Sequence, residues 1–222
     1  MLGDEKRAFA HFTVLLVVLP GLCAAQAGRV EPVELPSDSS VPQAVRNVLN
    51  PKGYRVLLDD GSTACDIWLR KSIPGPVKNT ESSVLYPQLA ESTLVGVISF
   101  LQATTDYRGE PVKAGAYTMR YELMPNDGNH LGVAPNRDFL LLVPADSDPD
   151  PNAVMKFEQL VSLSRKATGT QHPAPLSLVQ ATGGTAAVSK NDEEHWLFSA
   201  SFKLASGEDL PFSMVVKGTA PQ

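Results

Sequence analysis

Residues 116–123 have the sequence AYTMRYEL, and residues 139–143 have the sequence FLLLV. The first segment alternates apolar and polar side chains, which is typical of a strand with one buried face. On this pattern Arg120 and Glu122 belong to the polar face and are expected at the surface. The second segment is continuously apolar, which predicts a central strand covered on both faces. These two strands form the frame around which the rest of the chain is placed.

Working outward from this frame, the chain shows further strands separated by turn residues. The predicted strands are 54–58, 65–69, 94–100, 176–179, 196–204 and 210–216. Helical spacing predicts a short helix at 41–49 and one substantial helix near 154–167, which Gly169 ends. About eight short strands with one inserted helix favour a mainly β fold, an antiparallel β-sandwich of jelly-roll type.

The N-terminus predicts export. A basic start, an apolar run at 12–19 and small residues before position 28 are typical of a signal peptide. The apolar run is shorter than the about 20 residues that cross a bilayer, so cleavage is expected to leave no transmembrane segment. The predicted organisation is a signal peptide over 1–27, a flexible lead-in over 28–40 and a single sandwich domain over 41–222.

Charge and cysteine content narrow the class of protein. The net charge is −5 and no basic cluster stands out, which argues against nucleic acid or an anionic membrane as a partner. After signal cleavage only Cys65 remains, so the chain forms no internal disulfide and must rely on core burial. This composition favours a bacterial envelope or secreted protein, located in the periplasm or outside the cell.

A polar loop between the two framing strands is the first candidate site. The loop covers 124–136 and holds Asp127 and His130, and His172 lies in a second polar loop after the main helix. If the two loops meet, both imidazoles with Asp127 or Asp138 would form a divalent metal site or an acid–base group. The alternative is that each histidine packs within its own loop, because their separation has no metal-motif spacing.

Three other polar residues near this loop are candidate ligand-binding groups. They are Asn129, Arg137 and Arg120. An arginine beside a histidine-bearing loop suits an anionic or carbohydrate ligand. The structural alternative for Arg137 is an ion pair with the neighbouring Asp138. The structural alternative for Arg120 is an ordinary cross-strand charge pair.

The segment after the second framing strand resembles a calcium loop in part. Asp146, Asp148 and Asp150 alternate as oxygen ligands do in such loops, but Pro151 and Phe157 stand where the turn glycine and the closing glutamate belong. The alternative is an acidic entry to the main helix, which the helix dipole favours.

Several longer phrases of the sequence resemble a known group of proteins. Residues 107–121 resemble a turn and strand that are common in exported β-sandwich domains. Residues 125–130, 137–142 and 164–173 together are similar to a family of uncharacterised secreted bacterial β-sandwich proteins, over residues 86–217. The resemblance implies export and a β-rich fold, and it directs attention to the loops around His130 and His172. It implies no activity.

Two functional hypotheses remain open from the sequence. The first is an exported, non-enzymatic module that binds a small ligand, a carbohydrate or an envelope protein, which the lack of a complete catalytic motif favours. The second is a metal-assisted or acid–base hydrolase that uses His130, His172 and Asp127 or Asp138. The sequence leaves the cofactor unknown, and a divalent metal, at the histidines or in the calcium-like segment, is the group that it suggests.

Overall fold

The computed structural model describes residues 27–74, 84–125 and 136–220. Its strands are β1 Arg29–Glu34, β2 Lys52–Leu57, β3 Thr63–Leu69, β4 Leu94–Phe100, β5 Thr104–Thr105, β6 Pro111–Val112, β7 Gly115–Leu123, β8 Asp138–Pro144, β9 Pro175–Val179, β10 Ala187–Lys190, β11 Trp196–Lys203 and β12 Asp209–Lys217. Its helices are α1 Gln43–Val48 and α2 Phe157–Thr168, with a 3-10 turn at Ala145–Ser147. The predicted signal peptide, except its last residue, lies outside the described residues.

Ten of the strands form one continuous sheet, and β5 and β6 form a small separate hairpin. The order in the large sheet is β1-β2-β3-β4-β7-β8-β9-β12-β11-β10, and every neighbouring pair is antiparallel. The sheet curls until it is nearly closed into a barrel. A Cβ added at Gly28 would lie 2.6 Å from Trp196 Cζ3 and 2.9 Å from Val188 Cγ1, so the start of β1 lies against β10 and β11.

The mainly antiparallel β prediction is confirmed, but the arrangement differs from a two-sheet sandwich. The framing strands, the hairpin of β2 and β3, the strand β4 and the terminal hairpin of β11 and β12 appear where the sequence predicts them. The structure has ten strands in one sheet, where about eight were expected in two. The inward side chains of opposite parts of this curved sheet meet in a single interior, as Tyr54 of β2 and Phe198 of β11 do with ring centroids 5.4 Å apart.

The prediction of a flexible lead-in over 28–40 is wrong for its first half. Arg29–Glu34 forms β1 and pairs with β2 along all six of its residues. The segment contains Pro32 and three charged side chains, a composition that does not indicate a strand. Such residues suit an edge strand, where one row of backbone groups needs no partner.

The two helices cover the outer face of the curved sheet. Val45 and Leu49 at α1 pack on Trp68, Leu94 and Val97. The residue Leu160 of α2 packs on the outward side chains of β8. None of the helices within the described ranges is long and apolar enough to cross a membrane.

Helix α2 begins three residues later than the pattern predicts. Val154 is 90% exposed and lies in the extended segment that precedes the helix. The backbone N–H of Lys156 donates to Gln159 Oε1 at 3.0 Å, which caps the first turn. Gly169 ends the helix in the left-handed conformation, with φ 72°.

Candidate functional site

A cavity of about 460 Å³ lies between α2 and the outer faces of β8 and β9. Its apolar lining includes Phe139, Leu141, Phe157, Val161, Pro173 and Pro175. Its polar lining includes Tyr107, Arg108, Glu158, Arg165, His172 and Ser177. This volume and this mixture, a mostly apolar wall with a few polar groups, are those of small-molecule binding sites.

The periodicity of the secondary structure aims these side chains at one space. Phe157, Val161 and Arg165 are four residues apart, so they form one stripe along α2. In β8 the alternation sends Phe139 and Leu141 outward to the helix, while the intervening residues point into the main core. The cavity therefore lies where the outer face of the sheet is only partly filled by the helix.

Charged groups of opposite sign lie at the two ends of the helical wall. Glu158 is in the first turn of α2 and Arg165 is in its last turn. Arg108 lies toward the Arg165 end, because the backbone N–H of the preceding Tyr107 donates to the Pro175 carbonyl at 3.3 Å. The adjacent Ala174 N–H in turn donates to Ser164 Oγ at 2.9 Å. Within the described parts of the chain, neither guanidinium forms a salt bridge or a side-chain hydrogen bond.

Ser177 places one polar atom in the apolar floor of the cavity. It pairs with Phe139 across β8 and β9 and is 1% exposed. Its Oγ has no hydrogen-bond partner among the residues that the structure describes. An unpaired buried hydroxyl costs about 1–3 kcal/mol, so a ligand atom that bonds to it would be favoured.

His172 is the one histidine of the predicted pair that the structure describes, and it lines this cavity. Its Nε2 lies 4.0 Å from Glu110 Oε1, and its side chain is about half exposed. His130, Asp127 and Asn129 lie outside the described residues, so their meeting with His172 stays a prediction. In the described ranges, no group of three or more His, Cys, Asp or Glu side chains is arranged to hold a metal ion.

Arg120 is buried, which corrects its expected position at the surface; its ligand-binding role stays a prediction. It is 0% exposed, and Nε and Nη2 donate to Asp148 Oδ2 and Oδ1 at 2.8 and 2.7 Å. The remaining N–H groups donate to the carbonyls of Ser92, Ala153 and Asp150 at 2.7–2.8 Å. All five donors of the guanidinium are therefore used inside the protein.

The same ion pair separates the three carboxylates of the predicted calcium loop. Both Asp148 oxygens bond to Arg120, while Asp150 Oδ1 accepts the backbone N–H of Asn152 at 2.9 Å. Asp146 Oδ1 accepts the Ser147 hydroxyl at 3.2 Å, at an exposed position. The structure does not bring the three side chains together around a common point.

Asp138 points away from the cavity, into the main core. Its carboxylate accepts the backbone N–H groups of Leu85 and Tyr86 at 2.8 and 2.9 Å and the Tyr121 hydroxyl at 2.7 Å. His172 lies on the α2 side of the sheet, so the sheet stands between these two candidate residues. The neighbouring Arg137 donates from Nε to the Met124 carbonyl at 3.1 Å.

Glu122 is the second residue of β7 that the sequence placed at the surface and the structure buries. It is 1% exposed. Burial raises its pKa to about 7, with further contributions from the charges of Glu91 and Glu158. The buried carboxyl group of Glu122, on the outer face of the sheet, is therefore partly protonated near neutral pH.

We expect the burial of Glu122 to lower the stability of the protein as pH rises from about 4.5 to 7. The folded pKa is above the ordinary value of 4.5, so the folded state binds more protons in this window and loses stability with rising pH. Glutamine is neutral at every pH. At pH 8 the free energy of unfolding of Glu122→Gln should therefore be about 2 kcal/mol higher than that of the original chain. Urea unfolding at several pH values measures this.

A control variant and a second titrating group bear on the result of the urea experiment. The exposed Glu208 gives a control variant, Glu208→Gln, which should keep the pH slope of the original chain. Asp106, whose pKa burial raises to about 6, contributes a slope of the same sign and remains in both variants. An unchanged slope in Glu122→Gln would contradict the expected protonation of Glu122.

Sequence reasoning found His172 but missed the other polar groups of the cavity. The i, i+4, i+8 spacing of Phe157, Val161 and Arg165 was visible as a helical stripe that ends in a charge. Ser177 was visible as the polar residue within the apolar strand β9. No local pattern tied either of them to Arg108, because the three belong to segments that meet only in the folded chain.

Comparison with protein-family models, with curated proteins and with solved structures finds no match for this chain.

Proposed function

We propose that the chain is an exported binding module that holds a small, partly apolar ligand in the cavity beside α2. The observation that carries this proposal is the cavity itself, which combines a volume of about 460 Å³ with an apolar wall and a few polar groups. Pockets of on the order of 300–1,000 Å³ with this composition are the usual form of small-molecule sites.

Two features of the described residues favour a binding function over a catalytic one. Ser177 Oγ has no hydrogen-bond partner, so no described base activates it as a nucleophile. Asp138 and Asp148 have their oxygens occupied by internal donors. The alternative, a hydrolase built on His130, His172 and an aspartate, depends on residues outside the described ranges and remains the competing hypothesis.

The export part of the proposal rests on the sequence. It depends on the signal-like residues 1–27, and on the resemblance of residues 86–217 to secreted bacterial β-sandwich proteins. The one described cysteine, Cys65, is buried and free, so the described structure needs no disulfide.

Filling the cavity is expected to weaken binding strongly without unfolding the protein. Val161 is partly exposed and lines the cavity from α2, so Val161→Trp places an indole in the space that a ligand would take. We expect the original chain to bind the uncharged fluorescent probe N-phenyl-naphthylamine, and Val161→Trp to weaken that binding by about tenfold or more, equivalent to about 1.4 kcal/mol. A fluorescence titration measures both.

The next residue of the same helix provides the matched control. Ser162 is exposed and is not one of the residues that line the cavity, so Ser162→Trp adds the same side chain outside the lining. This control should bind the probe like the original chain. Equal loss in both variants, or no binding by the original chain, would rule against the cavity as the binding site.

A further inference from the structure

We propose that the ligand of this cavity is an amphipathic carboxylate, an apolar chain or ring system that carries one carboxylate at its end. This inference rests on the proposed function and adds the chemical class of the ligand. The carboxylate would bind at the end formed by Arg108 and Arg165, with the apolar part along Phe157 and Val161.

The two arginines are the reason for choosing an anion. Both line the cavity, and within the described residues their guanidinium groups make no side-chain hydrogen bond or salt bridge. This differs from Arg55, which forms a bidentate pair with Asp66 at 2.8 Å through both Nε and Nη2. A guanidinium offers a planar fork of donors that matches a carboxylate in the same bidentate way.

Negative groups near this end weaken the preference for an anion. Glu110 lies beside His172, at 4.0 Å, and Asp106 lies two residues before Arg108 and lowers the local positive potential. The carbonyl end of α2 acts in the same direction, with an effect equivalent to about half a charge. Among the described residues the guanidinium of Arg108 makes no hydrogen bond to Asp106, although the two charges attract each other. Asp106 Oδ1 accepts the backbone N–H groups of residues 108 and 110, and its Oδ2 is buried without a partner.

The other end of the cavity explains the orientation. Glu158 lines it in the first turn of α2, about 10 Å from Arg165 along the helix axis at 1.5 Å per residue. A ligand carboxylate at that end would meet a like charge. The apolar residues Phe139 and Leu141 lie along the floor between the two ends, where a chain of methylene groups would pack.

The volume sets the size of the ligand. At about 30 Å³ for each water molecule, a cavity of about 460 Å³ holds about 15 waters. A molecule on the order of 15 non-hydrogen atoms would replace them, which is the size of a medium-chain fatty acid. Decanoate is therefore a suitable probe.

The experiment compares three probes of the same chain length and different charge. Isothermal titration of the full mature chain with decanoate, decanol and decyltrimethylammonium should give the tightest binding for decanoate, by about tenfold over decanol. The double variant Arg108→Gln/Arg165→Gln should lose that advantage for decanoate and keep its affinity for decanol within about twofold. Arg29→Gln, on the edge strand β1 and outside the cavity lining, is the control and should change neither.

Each other outcome has a definite meaning. Equal binding of decanoate and decanol by the original chain would overturn the carboxylate inference and leave the binding module standing. Tightest binding of decyltrimethylammonium would overturn it in favour of a cationic ligand held by Glu158. If no probe binds, and Val161→Trp does not differ from the original chain with the uncharged fluorescent probe, the proposed function itself fails.

Discussion

Asp148→Ala is expected to lower the free energy of unfolding by about 3–5 kcal/mol, because it leaves a buried guanidinium without its counter-ion. Arg120 is 0% exposed and its pair with Asp148 closes at 2.7 Å. The penalty arises mainly from the charge that remains, since a buried ion cannot regain its hydration. Urea unfolding at neutral pH measures the effect.

A variant that removes both charges tests this explanation. In Arg120→Met/Asp148→Leu no buried charge remains, so we expect the double variant to be more stable than Asp148→Ala alone. The carbonyls of Ser92, Asp150 and Ala153 lose their donors in this variant, so we expect it to remain below the original chain. A double variant as unstable as the sum of its single variants would show that the two charges do not act as a pair.

The pair of Arg55 and Asp66 provides a control with the same geometry and different burial. It is also bidentate, at 2.8 Å, but the arginine side chain is 38% exposed. Asp66→Ala leaves this part-exposed guanidinium, which can regain water, so it should cost about 1 kcal/mol or less. If Asp148→Ala costs no more than Asp66→Ala, burial of the remaining guanidinium is not the source of the penalty. A calcium-dependent gain in stability that Asp148→Ala abolishes would instead favour the calcium loop.

The strands that could be predicted are those with a local signal. Each of these signals lies within one short segment: the alternation in β7, the apolar run of β8 and the turn before β3. The structure has strands at β7, β8 and β3. Helix α2 was also predicted, but its start was placed at Val154 because that residue keeps the apolar spacing. The structure exposes Val154, since the segment before the helix is extended.

The burial of the polar face of β7 could not be predicted from β7 itself. Alternation reports only that Arg120 and Glu122 share a face. What covers that face is the segment 145–156, some 30 residues further along the chain, whose carbonyls and Asp148 surround the guanidinium. The sequence of that segment suggested calcium ligands because its acidic residues alternate, and it held no separate sign of an arginine partner.

The cavity, like β7, was only partly predictable, because local sequence patterns do not show which segments meet in the fold. His172 was singled out because it stands in a polar loop after a helix. Arg108, Arg165 and Ser177 belong to different elements, and only the packing of α2 across β8 and β9 brings them to one space. The sequence thus identified a loop of the site but neither its charges nor its apolar wall.

Asp138→Ala is expected to destabilise the protein by about 3 kcal/mol or more, because three donors, two of them buried, lose their acceptor at once. The carboxylate joins β8 to the backbone of residues 85 and 86 and to the Tyr121 hydroxyl of β7. Burial raises the pKa of Tyr121 far above its usual range, and the hydrogen bond to Asp138 adds to this. The phenol therefore stays a donor to this carboxylate over the whole working range of pH.

Two smaller changes divide this stabilisation into its parts. Tyr121→Phe removes one donor and should cost about 1–2 kcal/mol. Asp138→Asn keeps the shape, but Leu85 and Tyr86 donate to different carboxylate oxygens, so the amide NH2 must face one of these two backbone N–H groups. It should therefore cost more than Tyr121→Phe. Hydrogen exchange at these two amides, protected in the original chain, should accelerate in Asp138→Asn and remain slow in Tyr121→Phe.

These variants also separate a structural role for Asp138 from the catalytic role that the sequence suggested. Asp138 faces the main core, whereas the cavity lies on the α2 side of the sheet. Under conditions where Asp138→Asn is still folded, it should bind N-phenyl-naphthylamine with the affinity of the original chain. A fully stable Asp138→Asn protein with altered binding would contradict this assignment and restore Asp138 to the functional site.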